Sequence, residues 1–161
     1  MTAPDTTAAE ARQLLRLREL REDTARQALD RARHAHDAAQ GAVHRREQQL
    51  VQVRRTRSAL LGWLCGAGAS ELPRVAPAAG ARLGALDEEI ERAELALSDE
   101  RLALADAARA VALAQGAWVR ARGRRQAVAL LADDARRALQ QQREQRVERE
   151  LDAPRAQPHH G

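Results

Sequence analysis

The residues with the clearest chemical character lie in a short segment, GAWVRARGRRQ, which spans residues 116–126. It places four arginines within six residues, beside Trp118, one of only two aromatic residues in the chain. Arginine clusters neutralise phosphates, and an indole ring can stack on a nucleic-acid base. Taken alone, the segment would indicate a nucleic-acid partner, and the rest of the chain decides whether that interpretation holds.

The other segments that could carry chemistry lack parts that such chemistry needs. The glycine-rich stretch GAGASE at residues 66–71 has no following Lys-Ser/Thr and no preceding strand, which a phosphate loop requires. His34 and His36 diverge on a helix and His44 lies more than two turns on, which argues against a shared metal site. No nucleophile, base and acid set is recognisable. We therefore expect a non-enzyme with no catalytic residue, metal site or cofactor.

Composition indicates long helices rather than a compact globule. The chain has no Phe, no Tyr and one Ile, and charged residues make up 31% of its 161 residues. Its dominant residues are strong helix formers, and alanine fills too little volume for a globular core. All of its 27 basic residues are arginine, which excludes Walker, Schiff-base and general-base lysines. A single cysteine and no apolar N-terminal run favour a soluble cytoplasmic protein without membrane insertion.

Proline and glycine set the predicted helix boundaries. Thr7 and Glu10 have the spacing of a capping box, and residues 62–80 form the one strong break, GWLCGAGASELPRVAPAAG. These signals predict a disordered N-terminus (1–7), a first helix (8–63), a Gly/Pro-rich connecting loop (64–80), a second helix (81–152) and a disordered tail (153–161). The predicted fold is therefore all-α, a long antiparallel two-helix coiled-coil hairpin.

Heptad periodicity predicts which helix faces meet. In the second helix the predicted a series is Leu83, Ile90, Leu97, Leu104, Val111, Trp118, Arg125, Ala132 and Leu139, and the d series is Leu86, Ala93, Glu100, Ala107, Ala114, Ala121, Val128 and Ala135. In the first helix the a series is Ala25, Ala32, Ala39, Arg46, Val53 and Leu60. Its predicted d series is Ala28, Ala35, Ala42, Gln49, Thr56 and Trp63.

An antiparallel register in which facing residue numbers sum to about 146 places bulky side chains over small ones, with Trp118 over Ala28. The same register predicts an ion pair between Arg46 and Glu100 inside the seam. It also brings the basic run 45–57 (+4) alongside the acidic run 87–100 (−6). The alternative is two solvated charge runs with no mutual relation.

The predicted ends of the hairpin differ in charge. The helix segments nearest the termini, 8–35 and 118–150, sum to +6, whereas residues 36–117 sum to −1. Leu95 and Leu102 lie one heptad apart on the outer face, where they form a possible partner patch. Distinct ends favour two different partners.

A charged chain rich in Ala, Arg, Leu, Glu and Gln, with one central break and an Arg-rich second helix that carries a Trp, resembles the central-stalk proteins of type III secretion systems. The similarity covers residues 8–152, and the segment AWVRARGRRQAVALLADDARRAL (117–139) carries most of it. The chain looks like the YscO-like proteins of injectisomes and like FliJ of the flagellar exporter.

The resemblance implies a stalk whose terminal end binds the pore of a hexameric secretion ATPase, which it regulates, and whose other end meets an export-gate protein. Secretion chaperones are a further class of partner that the resemblance leaves open. The residues expected to bind the ATPase are arginines of both helices: Arg18, Arg120, Arg122, Arg124, Arg136, Arg137 and Arg143. Two alternatives remain, a nucleic-acid-binding coiled coil, favoured by a pI near 10.9, and a generic coiled-coil adaptor. The burial predicted for Trp118 and the interspersed acids argue against a nucleic-acid partner.

Overall fold

Two long helices account for almost all of the chain that the structure describes. A computed structural model describes residues 3–152, with side chains for residues 7–151. Helix α1 runs from Ala3 to Cys65 and helix α2 from Leu72 to Asp152, with a short 3₁₀ helix, Ala69–Glu71, between them. Residues 3–152 contain no strand. The all-α class predicted from the sequence is confirmed.

The chain divides into two units. The first, here the connector unit, is Leu29–Leu113, and the second, here the terminal unit, comprises Met1–Ala28 and Ala114–Gly161. Each contains a segment of α1 packed against a segment of α2, so each buries apolar surface that a single helix would leave in water.

Ion pairs show that the helices of the connector unit are antiparallel. Arg57 pairs with Asp87, Arg54 with Glu94, Arg46 with Glu100 and Glu47 with Arg101. Residue numbers rise along α1 as they fall along α2, and each pair sums to nearly the same value. The basic and acidic runs therefore pair with each other within the chain.

The core of the connector unit consists of aliphatic residues from both helices. Val43 and Leu50 of α1 pack with Ala93 and Leu97 of α2, and Ile90 and Leu104 pack against them. Every a and d position predicted for α2, from Leu83 to Leu139, is buried or half-buried. The heptad of α2 is therefore the one predicted from the sequence.

The d series predicted for α1 is wrong at four of its six positions, while Ala28 and Ala42 are half-buried. Ala35, Gln49, Thr56 and Trp63 are exposed. The side chains that enter the connector-unit seam lie one position later: Leu29, His36, Val43, Leu50, Arg57 and Leu64. Leucine and valine at these positions bury more apolar area than the alanines of the predicted series, so the helix is rotated to place them inside.

The same seven-residue spacing holds in the terminal unit, where Ala8, Leu15 and Glu22 are buried or half-buried. Leu17 and Leu20 lie outside this series and are 50% and 63% exposed. On α2 the seam ends at Leu139, and residues 140–151 are all exposed. Leu17 and Leu20 are thus surface leucines beside a regular seam.

Helix α2 begins at Leu72, not at residue 81 as predicted. Pro73 falls in the first turn, where a helix needs no backbone N–H, and Pro77 lies inside the helix. Val75, Ala79 and Leu83 are half-buried at successive four-residue intervals. Packing on this face continues the helix through a proline that sequence rules treat as a boundary.

Helix α1 starts at Ala3, so the predicted capping box at Thr7 lies within the helix. The segment 3–7, predicted to be disordered, is therefore helical, and α1 ends at Cys65 instead of residue 63. Residues 1–2 and the predicted disordered tail 153–161 lie outside the described part of the chain.

The turn between the helices is built around Trp63. Its carbonyl oxygen accepts hydrogen bonds from the backbone N–H groups of Gly66 (3.2 Å) and Gly68 (2.8 Å). A Cβ atom on Gly68 would lie 2.7 Å from the indole ring of Trp63. Because that distance is a steric clash, the turn needs glycine for close approach, and the predicted loop of 17 residues is reduced to residues 66–71.

Candidate partner-binding site

The arginines predicted to form one basic surface have different surroundings in the terminal unit. Arg122 lies over the indole ring of Trp118, 5.5 Å from the ring centre, which is a cation–π arrangement. Trp118 is half-buried and its Nε1 atom is buried without a hydrogen-bond partner among the described residues. Trp118 and Ala28 both lie in the seam half-buried, so the indole ring is not presented as a free stacking surface.

Two further arginines are paired with acids on their own helix. Arg136 pairs with Asp133 at 3.2 Å and Arg137 with Asp134 at 2.7 Å. All four side chains are exposed, so these pairs contribute little to folding and can exchange partners at low cost. Their net positive field is nevertheless reduced by the neighbouring carboxylates.

A different group of arginines lines one cleft of about 200 Å³ in the terminal unit. This arginine cleft is formed by Arg18 and Arg21 of α1 and by Arg120 and Arg124 of α2, over a floor of Ala117 and Ala121. Spacings of three and four residues place each pair on one side of its helix. No acidic side chain lines the cleft, and none of the four arginines has an ion pair or hydrogen bond within the described chain.

Two of these side chains lie close against the helices, one partly buried and one on the surface. Arg18 is half-buried at a seam position, and its Nε atom is buried without a hydrogen-bond partner among the residues described. Arg120 lies back along its helix over Gly116, where a Cβ atom would be 3.2 Å from the Nη1 atom. Gly116 therefore makes room for a guanidinium group.

Arg21 was not among the arginines predicted from the sequence. Most of the predicted arginines lie close together along α2, and only the pairing of the two helices brings Arg21 into the same cleft.

A second cleft of about 330 Å³ in the terminal unit contains two of the other predicted arginines, Arg136 and Arg143. Here the walls are mainly apolar, and Arg12 and Asp133 also border it. The aliphatic side chains that line it are Ala8, Leu15, Ala132 and Leu139. Arginines and an acid share this rim, so its charge is mixed.

Each unit has an ion pair between seam residues of α1 and α2. In the connector unit, Arg46 donates from Nε and Nη2 to Glu100 Oε1 at 3.2 and 3.1 Å, the pair that the sequence register predicts. In the terminal unit, Arg125 Nε donates to Glu22 Oε2 at 2.7 Å. The second pair was not predicted, because the sequence register for this part of α1 had not been established. Arg125 is therefore already paired with Glu22.

The predicted leucine patch lies on the connector unit. Leu95 and Leu102 are 69% and 64% exposed. Leu102 borders an open cleft between Arg54 and Arg101, whereas Leu95 does not line it. Both leucines are thus accessible, and the cleft that Leu102 borders does not include Leu95.

Residues 3–152 contain no cluster of three or more His, Cys, Asp or Glu side chains that could hold a metal ion. Neither helix, over its described length, has a stretch apolar enough to cross a bilayer. No protein-family model matches the chain, and no curated protein or solved structure is significantly similar to it.

Proposed function

We propose that this protein is the central stalk of a type III secretion export apparatus, which binds a hexameric secretion ATPase through its terminal unit. The observation that carries the proposal is the arginine cleft, whose four guanidinium groups have no ion pair among the described residues and lie on an antiparallel helix pair. Such groups favour a partner that supplies negative charge. The resemblance to YscO-like proteins and FliJ supplies the identity of that partner.

The connector unit is proposed to meet an export-gate protein, with Leu95 and Leu102 as its accessible apolar side chains. Apolar side chains on an outer face are available for a protein contact without unfolding the seam. In this role the chain carries out no chemistry itself and alters the activity of the ATPase that it binds.

The test uses the purified full chain and the secretion ATPase from the same organism. We expect wild-type protein to bind the ATPase hexamer and to stimulate ATP hydrolysis. Arg120→Glu combined with Arg124→Glu should abolish both effects, while circular dichroism and the melting temperature stay nearly unchanged, because exposed unpaired charges contribute little to folding.

The matched control is Arg31→Glu with Arg33→Glu, which changes the same number of charges at exposed positions of the connector unit. It should leave stimulation intact. Normal stimulation by the Arg120/Arg124 variant, or tight salt-sensitive binding of wild type to DNA or RNA without binding to the ATPase, would contradict the proposal.

A further inference from the structure

We infer that the arginine cleft recognises a single acidic protein segment through bidentate guanidinium–carboxylate pairs, and that Arg21 belongs to this site. The inference rests on the proposed function for the identity of the partner, but not for the chemistry of the cleft. It defines what the partner must present: at least two carboxylates close enough together to enter one cleft.

The first argument concerns charge. Four guanidinium groups share one cleft without a counter-ion among the described residues, whereas elsewhere in the same unit Arg125, Arg136 and Arg137 each pair with an acid. Like charges held together raise the free energy of the isolated protein, and an entering anion relieves the repulsion. What distinguishes these four arginines is that they share one cleft whose described lining contains no acid.

The second argument concerns geometry. Arginine binds a carboxylate through two parallel N–H···O hydrogen bonds, which lysine cannot reproduce. Arg18 is restrained by burial in the seam and Arg120 lies over Gly116. A side chain that is already restrained, as Arg18 is, loses less entropy on binding. A volume of about 200 Å³ also exceeds what one water molecule needs, so carboxylate side chains can enter.

The third argument separates an acidic protein from nucleic acid. Binding of single-stranded nucleic acid relies on a continuous basic track and on aromatic rings that stack with bases. Here the nearest ring, Trp118, is half-buried and covered by Arg122. Glu19 and Asp23, which flank Arg21 on α1, are exposed and would repel a phosphate chain that extended beyond the cleft. A compact acidic segment avoids that repulsion.

The test uses charge-conserving variants, so that loss of binding reports the loss of guanidinium geometry. The probe is a fluorescein-labelled synthetic helical peptide with glutamates four residues apart, and binding is measured by fluorescence anisotropy. Arg18→Lys with Arg21→Lys, and separately Arg120→Lys with Arg124→Lys, should each weaken binding about tenfold or more. The control, Arg16→Lys with Arg26→Lys, changes exposed arginines of the same unit outside the cleft and should bind like wild type.

Two probe controls decide between occupants. The same peptide with glutamine in place of glutamate should not bind. An oligonucleotide of equal charge should bind more weakly than the glutamate peptide. Equal peptide binding by the cleft and control variants, or preference for the oligonucleotide, would overturn the inference.

The outcome is separable from that of the proposed function. If the lysine variants no longer bind the peptide and wild type does not bind the ATPase, the inference about the cleft is supported and the stalk proposal is contradicted. If the lysine variants stimulate the ATPase and bind the peptide as well as wild type does, the stalk proposal is supported and the cleft is not the recognition site.

Discussion

At the level of single residues, the seam carries charge where a two-helix structure would ordinarily be apolar. Arg46 with Glu100, and Arg125 with Glu22, are only partly exposed and each pair joins α1 to α2. Removing charges from water is costly, so such pairs contribute less to stability than aliphatic side chains would. They specify register instead, because sliding one helix along the other would leave both charges unpaired.

Charge reversal tests this role. Arg46→Glu or Glu100→Arg alone should lower the free energy of unfolding by about 1–3 kcal/mol, and the double swap should restore much of the loss, which a double-mutant cycle in urea measures. Arg54 and Glu94, whose side chains are 55% and 48% exposed, are the matched control, with expected losses of about 0–1 kcal/mol. Strictly additive losses at Arg46 and Glu100 would mean that their contact contributes nothing.

At the level of helices, the informative feature is the start of α2. Pro77 lies inside the helix and removes a backbone hydrogen bond, yet the half-buried face of Val75 and Ala79 continues through it. A helix that contains such a proline is less stable than its packing would otherwise make it.

Replacing that proline tests the boundary. Pro77→Ala should raise the free energy of unfolding by up to about 3 kcal/mol, because the new N–H can bond to the carbonyl one turn earlier. Urea unfolding followed by circular dichroism gives the value, and hydrogen exchange should show slower exchange at residues 72–80. An unchanged or lower stability would indicate that this segment is a loop, as the sequence had suggested.

The two helices differ in how much of their packing could be predicted from the sequence. The heptad of α2 could be predicted because large apolar residues occupy its a series without a shift from Leu83 to Trp118, and Arg46 opposite Glu100 followed from that register. The second seam series of α1 was predicted wrongly, because alanines recur at heptad spacing at positions 28, 35 and 42. The larger Leu29, Val43 and Leu50, one position later, decide the rotation. The arginine cleft was not predicted for a related reason. Its members on α1 lie 96 or more residues from those on α2, so only the packing of the helices brings them together.

At the level of the whole molecule, the seam of each unit is formed by segments of α1 and α2 from the same chain. The run at residues 45–57 pairs with that at 87–100 in the connector unit, and Arg125 pairs with Glu22 in the terminal unit. A chain that meets its own helix partners has no need of a second copy to bury its apolar faces.

The expected state in solution is therefore a monomer. Light scattering coupled to size exclusion should give a mass near 17.7 kDa, independent of protein concentration, because a dimer that exchanged helices would dissociate on dilution. Twice that mass at micromolar concentration would favour the generic adaptor in which helices pair between chains.

Trp63, which lies against Gly68 in the turn, also gives the connector unit a fluorescence signal of its own. With no tyrosine in the chain, intrinsic fluorescence comes from two indoles, and Trp63 belongs to the connector unit while Trp118 belongs to the terminal unit. A Trp63→Phe variant would therefore emit only from the terminal unit, and a Trp118→Phe variant only from the connector unit. Emission from the two variants during denaturation would show whether the units melt together or in sequence.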